Sequence, residues 1–203
     1  MDSAQFWQSE FDEHKTVMAD TRQNLFLAFD NMLDACEASI KSGGKIMFIG
    51  NGGSAADSQH LATELAVRYK KDRAPIAALA LTTDTSALTA IGNDFGFHHL
   101  FARQVSAVGK KGDVLIAIST SGNSENVIRA IETAREMGIT VVGFTGKTGG
   151  KMATGCDILV NVPSTTTARI QEMHITIGQM LCGALELRLG MVADEAVSAA
   201  KVA

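Results

Sequence analysis

Residues 45–54 read Lys-Ile-Met-Phe-Ile-Gly-Asn-Gly-Gly-Ser. Four consecutive apolar side chains closed by glycine suit a short strand buried on both faces, as strands of a parallel sheet are. The turn Gly50-Asn51-Gly52-Gly53-Ser54 follows directly, and Ser54 with Asp57 three residues on predicts the capped start of a helix. Upstream, Leu25, Phe26, Phe29, Met32, Leu33, Cys36 and Ile40 recur at helical steps and make one apolar face, which Gly43 and Gly44 stop. Downstream, Ile76 to Leu81, Val114 to Ile118, Val141 to Phe144 and Ile158 to Val162 read as further strands, with helical stretches between them. This alternation predicts a doubly wound α/β sandwich: a parallel central sheet, helices on both faces and an N-terminal helical extension. Pro163 closes the last strand, and 166–189 reads as a long helix with Ile170, Met173, Ile177, Met180, Leu181 and Leu185 along one stripe.

The chain reads as one domain over 1–203: N-terminal helices over 1–42, sheet core over 45–162 and long C-terminal helix over 166–189. Its leading helices are too apolar to lie free and are expected to pack on the sheet or on another subunit. The composition, 46% hydrophobic and 20% charged with two prolines, excludes a disordered chain. Cys36, Cys156 and Cys182 form no CxxC pair, which argues against a disulfide framework or thiolate zinc cluster and fits a reducing cytoplasm. No run approaches the roughly 20 apolar residues of a membrane span, and the start of the chain lacks signal-peptide character. A net charge of -4 provides no basic field for nucleic acid. If the ligand is an anion, local geometry has to hold it.

Ser119-Thr120-Ser121-Gly122-Asn123-Ser124 can supply that geometry. It follows a strand and precedes a helix, so its hydroxyls and backbone N–H groups can cradle phosphate without lysine, although the same residues also suit an ordinary capping turn. Gly50 to Ala55 spells G-x-G-x-x-A, yet no acidic residue stands near the end of the next strand, so the dinucleotide reading is weak. Gly146-Lys147-Thr148 is no P-loop, because Val141 occupies the position that needs glycine. His60 and Glu64 share a helix face beside the first turn; such a pair can bind a divalent ion, transfer protons or simply meet in solvent. His98 and His99 are adjacent and make a poor chelate, while His14 is expected to be solvated.

Gly50-Asn51-Gly52-Gly53-Ser54, Gly92-Asn93-Asp94-Phe95-Gly96, Ile118 to Ser124 and Arg169-Ile170-Gln171-Glu172 together resemble, in order and over nearly the whole chain, the phosphoheptose isomerases of the sugar isomerase (SIS) family. The resemblance implies interconversion of sedoheptulose 7-phosphate and D-glycero-D-manno-heptose 7-phosphate through an enediol, toward bacterial surface heptose such as that of lipopolysaccharide. It also implies a cytoplasmic homotetramer with sites between subunits. Carried over by motif, Asn51, Gly52, Gly53, Glu64, Asn93, Asp94, Ser119, Thr120, Ser121, Ser124 and Gln171 contact substrate. Glu64 is then the catalytic base, and His60, Glu64 and Gln171 hold one zinc per subunit.

One position departs from the family. A histidine is expected eight residues after the glutamine of Arg-Ile-Gln-Glu, and Gln179 stands there. An amide cannot replace imidazole as proton donor and acceptor near neutral pH, and its oxygen is a poorer zinc ligand than imidazole nitrogen. His174, three residues beyond Gln171, points elsewhere on the helix. The same family includes a non-catalytic bacterial regulator that binds the replication initiator, and a lost histidine suits that alternative. Retention of Glu64 and of the whole Ser119 to Ser124 turn favours the isomerase.

Overall fold

Five strands, β1 (Ile46–Gly50), β2 (Ala78–Ala80), β3 (Val114–Ile118), β4 (Thr140–Gly146) and β5 (Ile158–Val162), pair in parallel in the order β2-β1-β3-β4-β5 in the computed structural model, which describes residues 2–192. Every residue of β1 and β3 is buried, and the two run in register from Ile46 opposite Val114 to Gly50 opposite Ile118. Alternate side chains serve opposite faces. Ile46, Phe48, Val114, Ile116, Val142 and Phe144 meet α2 (Phe26–Lys41), α3 (Gly53–Ala66) and α7 (Thr167–Arg188). Met47, Ile49, Leu115, Ala117 and Val141 meet α5 (Leu100–Val108) and α6 (Glu125–Glu136). Each fully buried aliphatic or aromatic side chain contributes about 1.5–3 kcal/mol, so this two-sided core is the main source of stability.

The strands expected at 76–81 and 141–144 differ at their ends. β2 keeps only Ala78–Ala80 in the ladder, because the backbone of Ile76 bonds to Leu65 instead, while β4 extends to Gly146 along β5. The leading helical face also breaks. Leu25, at φ -105° and ψ 6°, separates α1 (Ser3–Asn24) from α2, so α2 lies on the sheet through Met32, Leu33 and Cys36 while α1 buries only Val17 and Thr21. Phe6, Trp7, Phe11, Met18, Phe26 and Leu27 are left exposed. Met180, expected in the buried stripe of α7, is 54% exposed because that helix turns its Ile177 and Leu181 sides to the core.

α3 and α7 lie side by side and run the same way. A Cβ on Gly178 would stand 2.4 Å from Leu61 Cδ1, and one on Gly183 would stand 3.0 Å from Tyr69, so hydrogen at these positions permits the close approach. Among the described residues, no helix is long and apolar enough to cross a membrane.

His174 on α7 is 1% exposed and packs on Phe144 with ring centroids 5.5 Å apart. Its Nε2 lies 3.0 Å from the Thr145 carbonyl, so a neutral ring protonated there donates to it, while Nδ1 has no protein partner. Burial pushes its pKa down to about 4, with the Thr145 hydrogen bond opposing. The folded value lies below the ordinary 6.5, so the unfolded chain binds more protons between the two. Stability from this group is therefore whole above about pH 6.5 and is lost as pH falls toward 4. Urea unfolding is expected to show a loss of about 3 kcal/mol across that window that His174→Gln lacks.

Candidate active site

β1 and β3 are neighbours where the strand order reverses, and in open α/β sheets ligands bind at the carboxyl ends of strands at such a point. After β1, Gly52 adopts φ 55° and ψ -121°, a backbone conformation that glycine reaches at little cost and other residues rarely adopt. α3 starts at Gly53 with no side-chain cap. Ser54 therefore sits inside the first turn, buried, and is not the expected cap; its carbonyl accepts from the Ser58 hydroxyl at 2.7 Å.

After β3, the Ser119 hydroxyl lies 2.9 Å from that of Ser124 and 3.5 Å from that of Ser121, with Thr120 half-buried between them. Ser124 stands at the N-cap of α6, yet its hydroxyl faces Ser119 and does not cap the helix. Hydroxyls thus gather at a helix N-terminus, where the helix dipole favours an anion. Residues 149–152 brace the turn: the Gly122 carbonyl accepts from Met152 N–H at 3.1 Å, and Asn123 Oδ1 accepts from Lys151 N–H at 3.1 Å.

A reciprocal amide pair joins the two turns. Asn51 Nδ2 donates to Asn126 Oδ1 at 2.9 Å, and Asn126 Nδ2 donates to Asn51 Oδ1 at 2.8 Å. Asn126 is 3% exposed. Sequence reasoning missed it, because residues 75 apart carry no mark of their pairing.

From this crevice α3 leads to His60 and Glu64, with His60 Nε2 3.0 Å from Glu64 Oε1. Their side chains are 49% and 20% exposed, so a ligand can reach both. Asp57 lies one turn before His60; its carboxyl is pushed above the usual range by burial, with the His60 charge opposing. Gln171 on α7 reaches the first turn, where a Cβ on Gly53 would stand 2.4 Å from its Nε2. The structure thus brings Asn51, Gly52, Gly53 and Gln171 together, and carries His60 and Glu64 on the helix that Gly53 opens. Gln179 lines a hollow with Tyr69, Lys70 and Gly183, one residue beyond Gly178, which packs on Leu61 of α3 between His60 and Glu64. His174 points into the core.

Asn93 and Asp94 end the exposed α4 (Thr85–Asp94), with Asn93 Nδ2 donating to Asp94 Oδ1 at 2.7 Å. His14 is not simply solvated: its Nδ1 lies 2.7 Å from Glu172 Oε2, in a cluster where Arg169 Nη2 meets Glu10 and Glu172, each at 3.0 Å. α1 leaning on the start of α7 makes these contacts, which the local polarity of 10–16 conceals. Among the described residues, no three His, Cys, Asp or Glu side chains gather as a metal cluster.

A parallel sheet in this order, with a lysine-free hydroxyl turn at its reversal point, is the build of a SIS domain, and the SIS domain pattern matches residues 11–146. The chain is 64% identical to the phosphoheptose isomerase of Rhodospirillum rubrum over 149 residues, 73% of this chain and 79% of that one. It is 52% identical to that of Paramagnetospirillum magneticum over 186 residues, covering 92% and 97%. The solved phosphoheptose isomerase GmhA of Neisseria gonorrhoeae superposes with a TM-score of 0.86 at 43% identity, covering 91% of this chain and 99% of that one. That of Francisella tularensis superposes at 0.90 with 35% identity, covering 92% and 100%. The chain belongs to the phosphoheptose isomerases of the SIS family.

Gly122 offers a direct test of the turn. It holds φ 65°, and a Cβ there would stand 2.0 Å from the Gly149 carbonyl oxygen. Gly122→Ala is expected to cost about 1–3 kcal/mol of unfolding free energy, read as a lower denaturant midpoint at unchanged m, from left-handed strain and overpacking together.

Proposed function

We propose that the protein interconverts sedoheptulose 7-phosphate and D-glycero-D-manno-heptose 7-phosphate through an enediol. The observation that carries this reading is the Asn51–Asn126 pair, which merges the two motif turns into one crevice from which α3 runs to His60 and Glu64. Phosphate sits on Ser119, Thr120, Ser121 and Ser124. Asn51, Gly52, Gly53 and Gln171 contact the sugar, joined by Asn93 and Asp94 in the assembled oligomer.

Glu64 removes the hydrogen on C1 of the ketose as a proton; the bonding pair forms the C1–C2 double bond while the C2 carbonyl pair moves onto its oxygen, which takes up a proton to give the enediol, and loss of the O1 proton with return of a proton to C2 then gives the aldose. His60 and Glu64 offer a nitrogen and a carboxylate oxygen, a donor set that suits zinc, and the Gln171 carbonyl can add a third. Bound there, zinc supplies Lewis-acid polarisation of a substrate oxygen. Gln179 supplies no proton to that oxygen.

The exposed apolar side chains of α1 and α2 support a homotetramer in which subunits cover one another. A cytoplasmic role in making surface heptose follows from the same family reading. The non-catalytic alternative is not favoured, since the relatives that share most of the chain carry the isomerase name.

Replacing Ser119 and Ser121 by Ala together is expected to weaken sugar-phosphate binding by about 1–3 kcal/mol in calorimetry, as hydrogen bonds to the anion are lost. Unchanged affinity would place the phosphate elsewhere. Gln179→His is expected to raise turnover, within the roughly 100- to 10,000-fold that general acid-base assistance supplies, and to tighten zinc. Glu64→Gln should abolish the gain, and unchanged turnover in Gln179→His would assign the acid to another group.

A further inference from the structure

A helix leaves its last carbonyls without intrahelical partners. At the end of α3 one guanidinium takes two of them: Arg73 Nη2 donates to the Glu64 carbonyl at 2.7 Å, and Nη1 donates to the Leu65 carbonyl at 2.7 Å. Nη1 also reaches the Ala74 carbonyl at 3.0 Å. The third nitrogen, Nε, donates to Glu186 Oε1 on α7 at 2.9 Å, and the same oxygen accepts from Tyr69 N–H at 3.0 Å. The Arg73 and Glu186 side chains are 1% and 2% exposed. Burying an ion pair this completely sacrifices hydration that the attraction only partly restores, so it is weak as a stabilising device. Its distinctive product here is geometry: a planar fork with fixed donor directions, seated under the turn that carries Glu64.

We infer that Arg73, held by Glu186, is a positioning residue for Glu64; the inference rests on the reading of Glu64 as base. α3 is anchored at its start by the Gly52 turn and at its end by this clamp, which also locks it to α7, the helix of Gln171 and Gln179. Without the clamp the Glu64 carbonyl loses its guanidinium partner and the Leu65 carbonyl keeps only the Ile76 N–H, so the last turn of α3 loosens at Glu64 and its carboxylate loses its fixed direction. The Ser119 to Ser124 turn precedes a different helix on the opposite face of the sheet and keeps its place. Proton abstraction is steeply sensitive to the placement of the base, while phosphate binding at a separate turn is not.

The test uses the full chain carrying Arg73→Lys, Arg73→Ala or Glu186→Gln, each checked for folding by circular dichroism. Lysine keeps the charge but cannot span the same acceptors. For sedoheptulose 7-phosphate, Arg73→Lys should lower kcat about 10- to 100-fold. KM should stay within about twofold, because substrate is held elsewhere. The primary deuterium isotope effect with substrate labelled at C1 should rise as C–H cleavage becomes limiting, and added guanidinium should restore part of the kcat of Arg73→Ala. Should Arg73→Ala fail to fold, Arg73→Lys and Glu186→Gln carry the same measurement. An unchanged kcat in folded Arg73→Lys, a KM that rises in step with the fall in kcat, or an unchanged isotope effect would overturn the inference. Glu64→Gln, measured alongside, separates the two assignments. An active Glu64→Gln removes the base and the clamp's role with it; an inactive one beside an undiminished Arg73→Lys removes the clamp alone.

Discussion

Everything at the crevice follows from the parallel pairing of β1 with β3. Because Gly50 stands opposite Ile118, the two strands end at the same level and release their turns side by side. The chain then leaves in opposite directions: α3 covers the face that also carries α2 and α7, and α6 covers the face of α5. Two helices that diverge from adjacent strand ends leave a gap between their N-termini, and neither turn alone could line it. The Asn51–Asn126 amides then fix the separation of its walls with two neutral hydrogen bonds.

That geometry divides the labour. The hydroxyl turn and the start of α6 belong to one face of the sheet, while His60, Glu64 and Gln171 belong to helices on the other. Contact through Gly178 sets the spacing of α3 and α7, Gly183 lets Tyr69 approach just beyond α3, and the Arg73–Glu186 pair ties the far ends. A change that disturbs one wall can thus leave the other intact, and on the proposed reading binding and chemistry become separable by substitution.

The sheet was legible in the sequence because its signal is local. An apolar run such as Ile46 to Ile49 between glycines has few alternatives, and Val114 to Ile118 and Ile158 to Val162 match their strands residue for residue. Burial is a poorer guide to ladder ends: Ile76 and Leu81 are buried beside β2 without belonging to it. The break at Leu25 escaped notice because the apolar period runs through it; only the change of packing partner, sheet for α2 and α7 for α1, shows why the chain bends there. At the candidate site, the Gly-rich and Ser-rich turns announce themselves by composition and position. Asn126, Arg73 and the His14–Glu172 contact do not, since each gains its role from a partner distant in the chain.

The turn of Ser119, Thr120, Ser121 and Ser124 carries hydroxyls and no cationic side chain, in a chain of net charge -4. Attraction from a helix terminus fades within about one turn, whereas lysines act over a Debye length of about 8 Å at physiological ionic strength. On the proposed reading, the turn's own hydroxyls and backbone recognise a phosphate only once it has entered the crevice. On that reading the turn itself exerts no long-range pull on substrate or on polyanions, and long-range steering falls to charges outside it such as Lys151, whose backbone bonds Asn123.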